Sequence, residues 1–117
     1  ETNRNGDLLV PAGSARDFFL YVKDELLDEA HAFLTERLSD AADVVQTQWL
    51  IDAGYFGPPP MSDFFLKRVG NLVILAHGNQ TVWWYEKGKF EQRLHGIHGG
   101  LSRQEMEIPL CLYDFAA

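Results

Sequence analysis

Only one cysteine, Cys111, occurs in the 117 residues, so neither an intrachain disulfide nor a cysteine-based zinc site can form. That usage agrees with a reducing, cytoplasmic setting. Positive charge is also scarce. Ten Lys and Arg against seventeen Asp and Glu give a formal charge of -7, which denies the chain the basic face that a nucleic-acid backbone needs and excludes DNA as a default partner. The longest apolar runs, 72–76 and 108–112, are far too short to cross a bilayer, and the start lacks the basic-then-apolar order of a signal peptide. No membrane partner is expected. There is no G-x-S-x-G elbow, P-loop or Rossmann glycine fingerprint, and Cys111 sits in an apolar run where a thiolate is disfavoured, so covalent catalysis by these residues alone is not expected. Internal repeats, low-complexity tracts and flexible linkers are missing as well. The chain opens on Glu1 rather than Met, which points to processing or to excision from a longer protein.

What is present describes one globular unit. Hydrophobic residues make up 46% of the chain, and a chain of this length can bury roughly two-thirds of its unfolded surface. The polar lead-in through Ser14 reads as a loop with one brief strand, and Phe18 to Val22 as a buried strand. From Asp24 to Leu38, Leu26, Leu27, Ala30, Phe33, Leu34 and Leu38 recur at three- and four-residue steps, which predicts a helix, with acidic residues in its first turn and Arg37 near its end. A short strand at Val44–Val45 and a brief helix capped by Thr47 and ended by Gly54 follow. Gly57 to Pro60 must run extended, because each proline fixes φ and disfavours helix in the residue before it. Ser62 predicts a cap for a helix over 63–69. Strands are then expected at 72–76, 81–86, 90–94 and 108–113, joined by turns at Gly78-Asn79 and Lys87-Gly88-Lys89, with a single turn capped by Ser102.

These elements predict an α+β fold. A strand–helix–strand unit, able to pair in parallel, precedes a mostly antiparallel meander in a mixed sheet, with two to three helices on one side.

Four histidines are candidates for chemistry. His31 falls on the edge of the helical stripe and His77 at a strand end, and both read as structural. His95 and His98 stand among Gly96, Gly99 and Gly100, where the backbone can approach a ligand closely. Two histidines make only half a zinc site, and no nearby carboxylate completes one. Trp83, Trp84 and Tyr85 offer stacking surfaces, with Trp83 and Tyr85 on one face of the expected strand and Trp84 on the other.

The run from Gly96 to Leu112, GIHGGLSRQEMEIPLCL, resembles the C-terminal signature of the type I phosphodiesterase and nucleotide pyrophosphatase family of the alkaline phosphatase superfamily. In that family, His-Gly-Gly-Leu-Ser/Thr precedes a Glu-Met-x-(Val/Ile)-Pro-Leu strand. The upstream stretches GSARDFFLYVK, IDAGYFGPPP and GNLVILAHGNQTVWWYEKGKF also look like family sequence. The resemblance implies a divalent-metal site, commonly two zinc ions, that activates a threonine or serine nucleophile on a phosphodiester or nucleotide substrate. It makes His98 the metal ligand and leaves His95, Gly99 and Gly100 beside it as second-shell or substrate-side residues.

The family's nucleophile and its Asp-x-x-x-His and Asp-His pairs are not in this chain, so the resemblance implies a C-terminal piece. Such a piece contributes one ligand, is inactive alone and needs an N-terminal catalytic portion. Residues 17–57 then resemble a cap-like insertion, with Arg16 and Arg68 as candidates for steering a phosphate, and 71–117 the meander and last core strand. The alternative is an independent nucleotide- or protein-binding module using Trp83, Trp84, Tyr85 and the Pro58–Pro60 loop, without catalysis.

Overall fold

A computed structural model describes residues 9–115, so the first eight residues of the lead-in lie outside the described part. The α+β expectation holds. Four strands form one sheet in the order β1-β2-β4-β3, where β1 is Ala12–Gly13, β2 Asp17–Leu20, β3 Ala42–Gln46 and β4 Leu72–Ala76. A 3-10 turn, Asp24–Leu26, leads into α1 (Leu27–Leu38), and α2 (Thr47–Asp52), α3 (Asp63–Leu66) and α4 (Arg103–Met106) follow.

Every pairing in this sheet is antiparallel, so the sheet is not mixed. Strands β2 and β3 run in the same direction but never touch, because β4 lies between them and opposes both. The strand–helix–strand unit is therefore a crossover that leaves a gap, and a strand from later in the chain fills it. That topology also explains the missing meander. Both edges of β4 are already taken, so the segment after the Gly78-Asn79 turn has no edge against which to complete a hairpin. Residues 81–86 and 90–94 form no ladder. Val82 donates one backbone bond to Ala15 (2.9 Å), and the Trp83 Nε1–H donates to the Phe90 carbonyl (2.7 Å). Residues 108–113 form no strand either, and all of them are exposed. Cys111 is thus exposed, contrary to its expected burial.

Helices cover both faces of the sheet rather than one. Alternation within β2, β3 and β4 sends Phe18, Val44, Leu72 and Ile74 to one face, where Leu27, Ala30, Leu34 and Leu38 of α1 pack with Trp83. Phe19, Val45 and Val73 go to the other face, against Leu50 of α2, Phe65 of α3, Val69 and Leu101. Two covered faces account for unbroken apolar strands such as Leu72–Ala76.

The α1 stripe is narrower than the sequence predicts. Leu26 and Phe33 are exposed, and Phe33 instead carries the Arg37 guanidinium over its ring at 4.8 Å. Thr47 does not cap α2. It is the first helical residue after Gln46, buried, and its hydroxyl donates to the Val69 carbonyl (3.3 Å). Ser62 does cap α3, accepting from the Phe65 N–H at 3.2 Å, but that helix ends at Leu66, short of the expected 69. The Gly57–Pro60 stretch contains a cis bond between Pro59 and Pro60.

Candidate functional site

The site is built around one ion pair. Arg16, at the entry to β2, is 5% exposed, and its guanidinium meets Glu105 of α4 in a fork, Nε to Oε1 at 2.9 Å and Nη2 to Oε2 at 2.7 Å. Nη1 donates to the Gln80 carbonyl at 2.5 Å and reaches the His77 carbonyl at 3.4 Å. The guanidinium is thereby committed to holding three separated parts of the chain together.

Glu105 accepts more than the arginine. The Ser102 hydroxyl donates to Oε2 (2.5 Å) and the Gly100 N–H to Oε1 (3.1 Å). Arg16 foremost, then Ser102 and the Gly100 N–H, hold the Glu105 carboxyl far below the usual carboxylate range, against a smaller opposing push from burial. Arg16 is raised in turn by Glu105.

This network explains the HGGLSxxE spacing residue by residue. Gly100 is buried, and a Cβ there would lie 2.7 Å from Glu105 Oε2 and 3.1 Å from Arg16 Nη2, so any larger residue would have to displace the carboxylate or the guanidinium. Gly99 takes φ +113°, and a Cβ on it would crowd the Asp17 carboxylate at 3.0 Å. Leu101 packs under the sheet, and Ser102 opens α4 with its carbonyl accepting from the Glu105 and Met106 N–H groups. On the other side, the Ser14 hydroxyl bonds the Asp17 carboxylate and lies 3.1 Å from the His98 carbonyl oxygen.

The result is a tight turn, fixed at both ends, that carries His98. Its side chain is exposed, and the ring makes no hydrogen bond or ion pair among the described residues. No group of three or more His, Cys, Asp or Glu capable of holding a metal ion occurs among the described residues.

Beside the turn lies an open cleft of about 800 Å³, bordered by the Arg16–Glu105 pair. His95 lines it, together with Trp83 and Tyr85. Trp84 lines a separate, smaller hollow near Phe18 and Phe90. Arg68 does not reach the cleft. It is exposed, with its guanidinium 5.5 Å from the centre of the Phe64 ring. Pro58 to Pro60 are exposed and line no part of the cleft. The His31 Nε2–H donates to the Val44 carbonyl (2.9 Å), and His77 Nε2 lies 3.0 Å from the Asp43 carboxylate.

Sequence reasoning missed Glu105, Ser14 and Asp17. For Glu105 a signal existed, since Ser102-x-x-Glu105 is the spacing of a capping box. Here the glutamate reaches past the cap to Gly100 and Arg16. Ser14 and Asp17 carry no such mark, because their relation to His98 spans 84 residues of chain. Comparison with known proteins finds no matching family model, no matching curated protein and no matching solved structure.

Proposed function

We propose that this chain is the C-terminal part of a metal-dependent phosphodiesterase or nucleotide pyrophosphatase-like hydrolase, to which it contributes His98 as a metal ligand and a substrate-side wall. The carrying observation is the locked HGGLSxxE turn. Arg16, Glu105, Gly99 and Gly100 are all spent on fixing a loop that leaves the exposed His98 ring unengaged among the described residues. A loop built that rigidly suits a residue that must meet ligands supplied from another part of the protein.

In the complete protein, divalent ions, with zinc the expected metal, would supply charge stabilisation for the transferring phosphoryl group and an activated nucleophile. This chain's own part is to hold His98 in place and to keep side chains away from it. Alone, it has no turnover. Arg16, with its donors taken, steers no phosphate in this scheme but sets the position of the turn. A cytoplasmic location suits the single exposed thiol of Cys111, which persists in reduced form there.

The test is made on the full-length gene product with a chromogenic phosphodiester and metal analysis. His98→Ala is expected to lower bound metal and to reduce turnover by at least a hundredfold. Unchanged metal content and rate in a folded variant refute the assignment.

A further inference from the structure

A second groove, of about 610 Å³, runs along β3, the strand at the end of the sheet. Its volume falls within the usual range of small-molecule sites, about 300–1,000 Å³. Two aromatic side chains stand in it, Trp49 of α2 and Tyr55 just past the end of that helix. Their ring centres are 6.0 Å apart and their planes inclined at 33°. The end of α2 sets this spacing, because the Ala53 and Tyr55 N–H groups donate to the Trp49 and Leu50 carbonyls at 2.9 and 3.0 Å. Neither ring is spent on the core, since Trp49 is 56% exposed and Tyr55 49%.

The fixed charge of the groove is negative. Asp43 shares a face of β3 with Val45, the face that α2 covers, and its side chain is 71% exposed. His77 lies 3.0 Å from Oδ1, which orients the carboxylate and leaves Oδ2 without a partner among the described residues. No lysine or arginine lines the groove among the described residues, and the whole chain carries a formal charge of -7.

These features select a ligand. An aromatic face attracts a cation through its quadrupole, and a carboxylate nearby adds a counter-charge. A guanidinium fits best where both carboxylate oxygens are open to its fork, and here Oδ1 is already engaged by His77. An ammonium clothed in methyl groups donates no hydrogen bond, so it needs only ring faces and a negative charge within reach.

We propose that this groove binds an alkylated ammonium ion, with Trp49 and Tyr55 against its methyl groups and Asp43 as its counter-charge. Thr35 and Ser39 line the same groove and offer hydroxyl groups to a polar portion of the ligand. Such binding requires neither metal nor His98, so it stands apart from the hydrolase reading.

The experiment titrates the whole chain with three probes, Nα-acetyl-trimethyllysine amide, Nα-acetyl-arginine amide and the uncharged Nα-acetyl-norleucine amide, followed by calorimetry and by the indole N–H signals in NMR. Saturable binding of the trimethyllysine probe is expected, with the Trp49 signal moving and those of Trp83 and Trp84 still. The arginine probe should bind more weakly and the norleucine probe not at all. Trp49→Leu is expected to weaken binding about tenfold, the scale of one lost cation–aromatic contact, and Trp49→Phe to recover most of it. Asp43→Asn should weaken binding about fivefold, as loss of an exposed charge does. Both positions are largely exposed, so circular dichroism should be unchanged in each variant.

The proposal is overturned by the lack of saturable binding, by a norleucine probe that binds equally well, by preference for the arginine probe, or by full affinity in Trp49→Leu. His98→Ala should bind the trimethyllysine probe as the parent chain does, whatever happens to its metal content or turnover. Failure of the hydrolase reading therefore leaves this site standing, and failure of this site leaves that reading untouched.

Discussion

Arg16 illustrates how one residue can decide the course of a loop 89 positions away. Its partner Glu105 is 17% exposed and Arg16 is 5% exposed, so truncating either leaves the other largely out of water without its counter-charge. Glu105→Gln keeps the shape and removes the charge. It should lower unfolding stability by about 2–3 kcal/mol at pH 7, read from urea midpoints.

The same substitution should alter the acid limb of stability. Folding depresses the Glu105 pKa below its ordinary 4.5, so in the acid range the unfolded chain takes up a proton that the native state refuses. The pair's contribution is then complete above that value and declines as the pH falls below it. In Glu105→Gln this part of the decline should vanish, flattening the stability curve below pH 4.5 relative to the unmodified chain. An identical acid limb in both proteins would assign the sensitivity to other carboxylates.

Secondary-structure elements show where the sequence was readable and where it was not. The α1 helix, the 72–76 run and the Ser62 cap rest on local signals, and all three form, although the buried stripe of α1 leaves out Leu26 and Phe33. The 81–86, 90–94 and 108–113 segments also carry strand composition, but a strand needs a neighbour as well as a suitable sequence. Nothing in the residues after 76 announces that β4 will already be flanked by β2 and β3. Likewise the HGGLSxxE motif was visible as a pattern, while its anchor on Arg16 depended on a contact that only the fold brings about.

The free edge of β3 offers a test at this scale. Because Ala41 and Thr47 bond towards β4, the carbonyl of Val44 points away from it, and the His31 ring meets that carbonyl at 2.9 Å. The helix thereby caps one rung of an edge that would otherwise be open to another strand. His31→Ala is expected to cost about 1 kcal/mol in urea unfolding and to speed amide exchange around Val44. Unchanged exchange there would mean that water replaces the imidazole without loss.

Over the whole molecule, packing is uneven. The radius of gyration is 17.0 Å, against about 13 Å for a compact chain of similar length. Ile108, Leu110, Leu112, Tyr113 and Phe115 are each between 78% and 89% exposed, so the C-terminal segment adds length and apolar surface without adding to the core. Such a segment is prone to pair with whatever offers an edge or a greasy face. Removing residues 108–117 should leave the circular dichroism and urea midpoint nearly unchanged and should reduce self-association in sedimentation velocity. Loss of folding on truncation would show that the segment supports the sheet after all.

The strand order carries a consequence in time. As the chain leaves a ribosome, β2 has only the two residues of β1 beside it and β3 has no partner, and the two are not joined until Leu72–Ala76 arrives between them. A nascent chain stopped short of that strand should be loose and open to proteases, however much of its helix has formed. Glu105 comes later still, so the turn presenting His98 is set only after the sheet has closed around that strand.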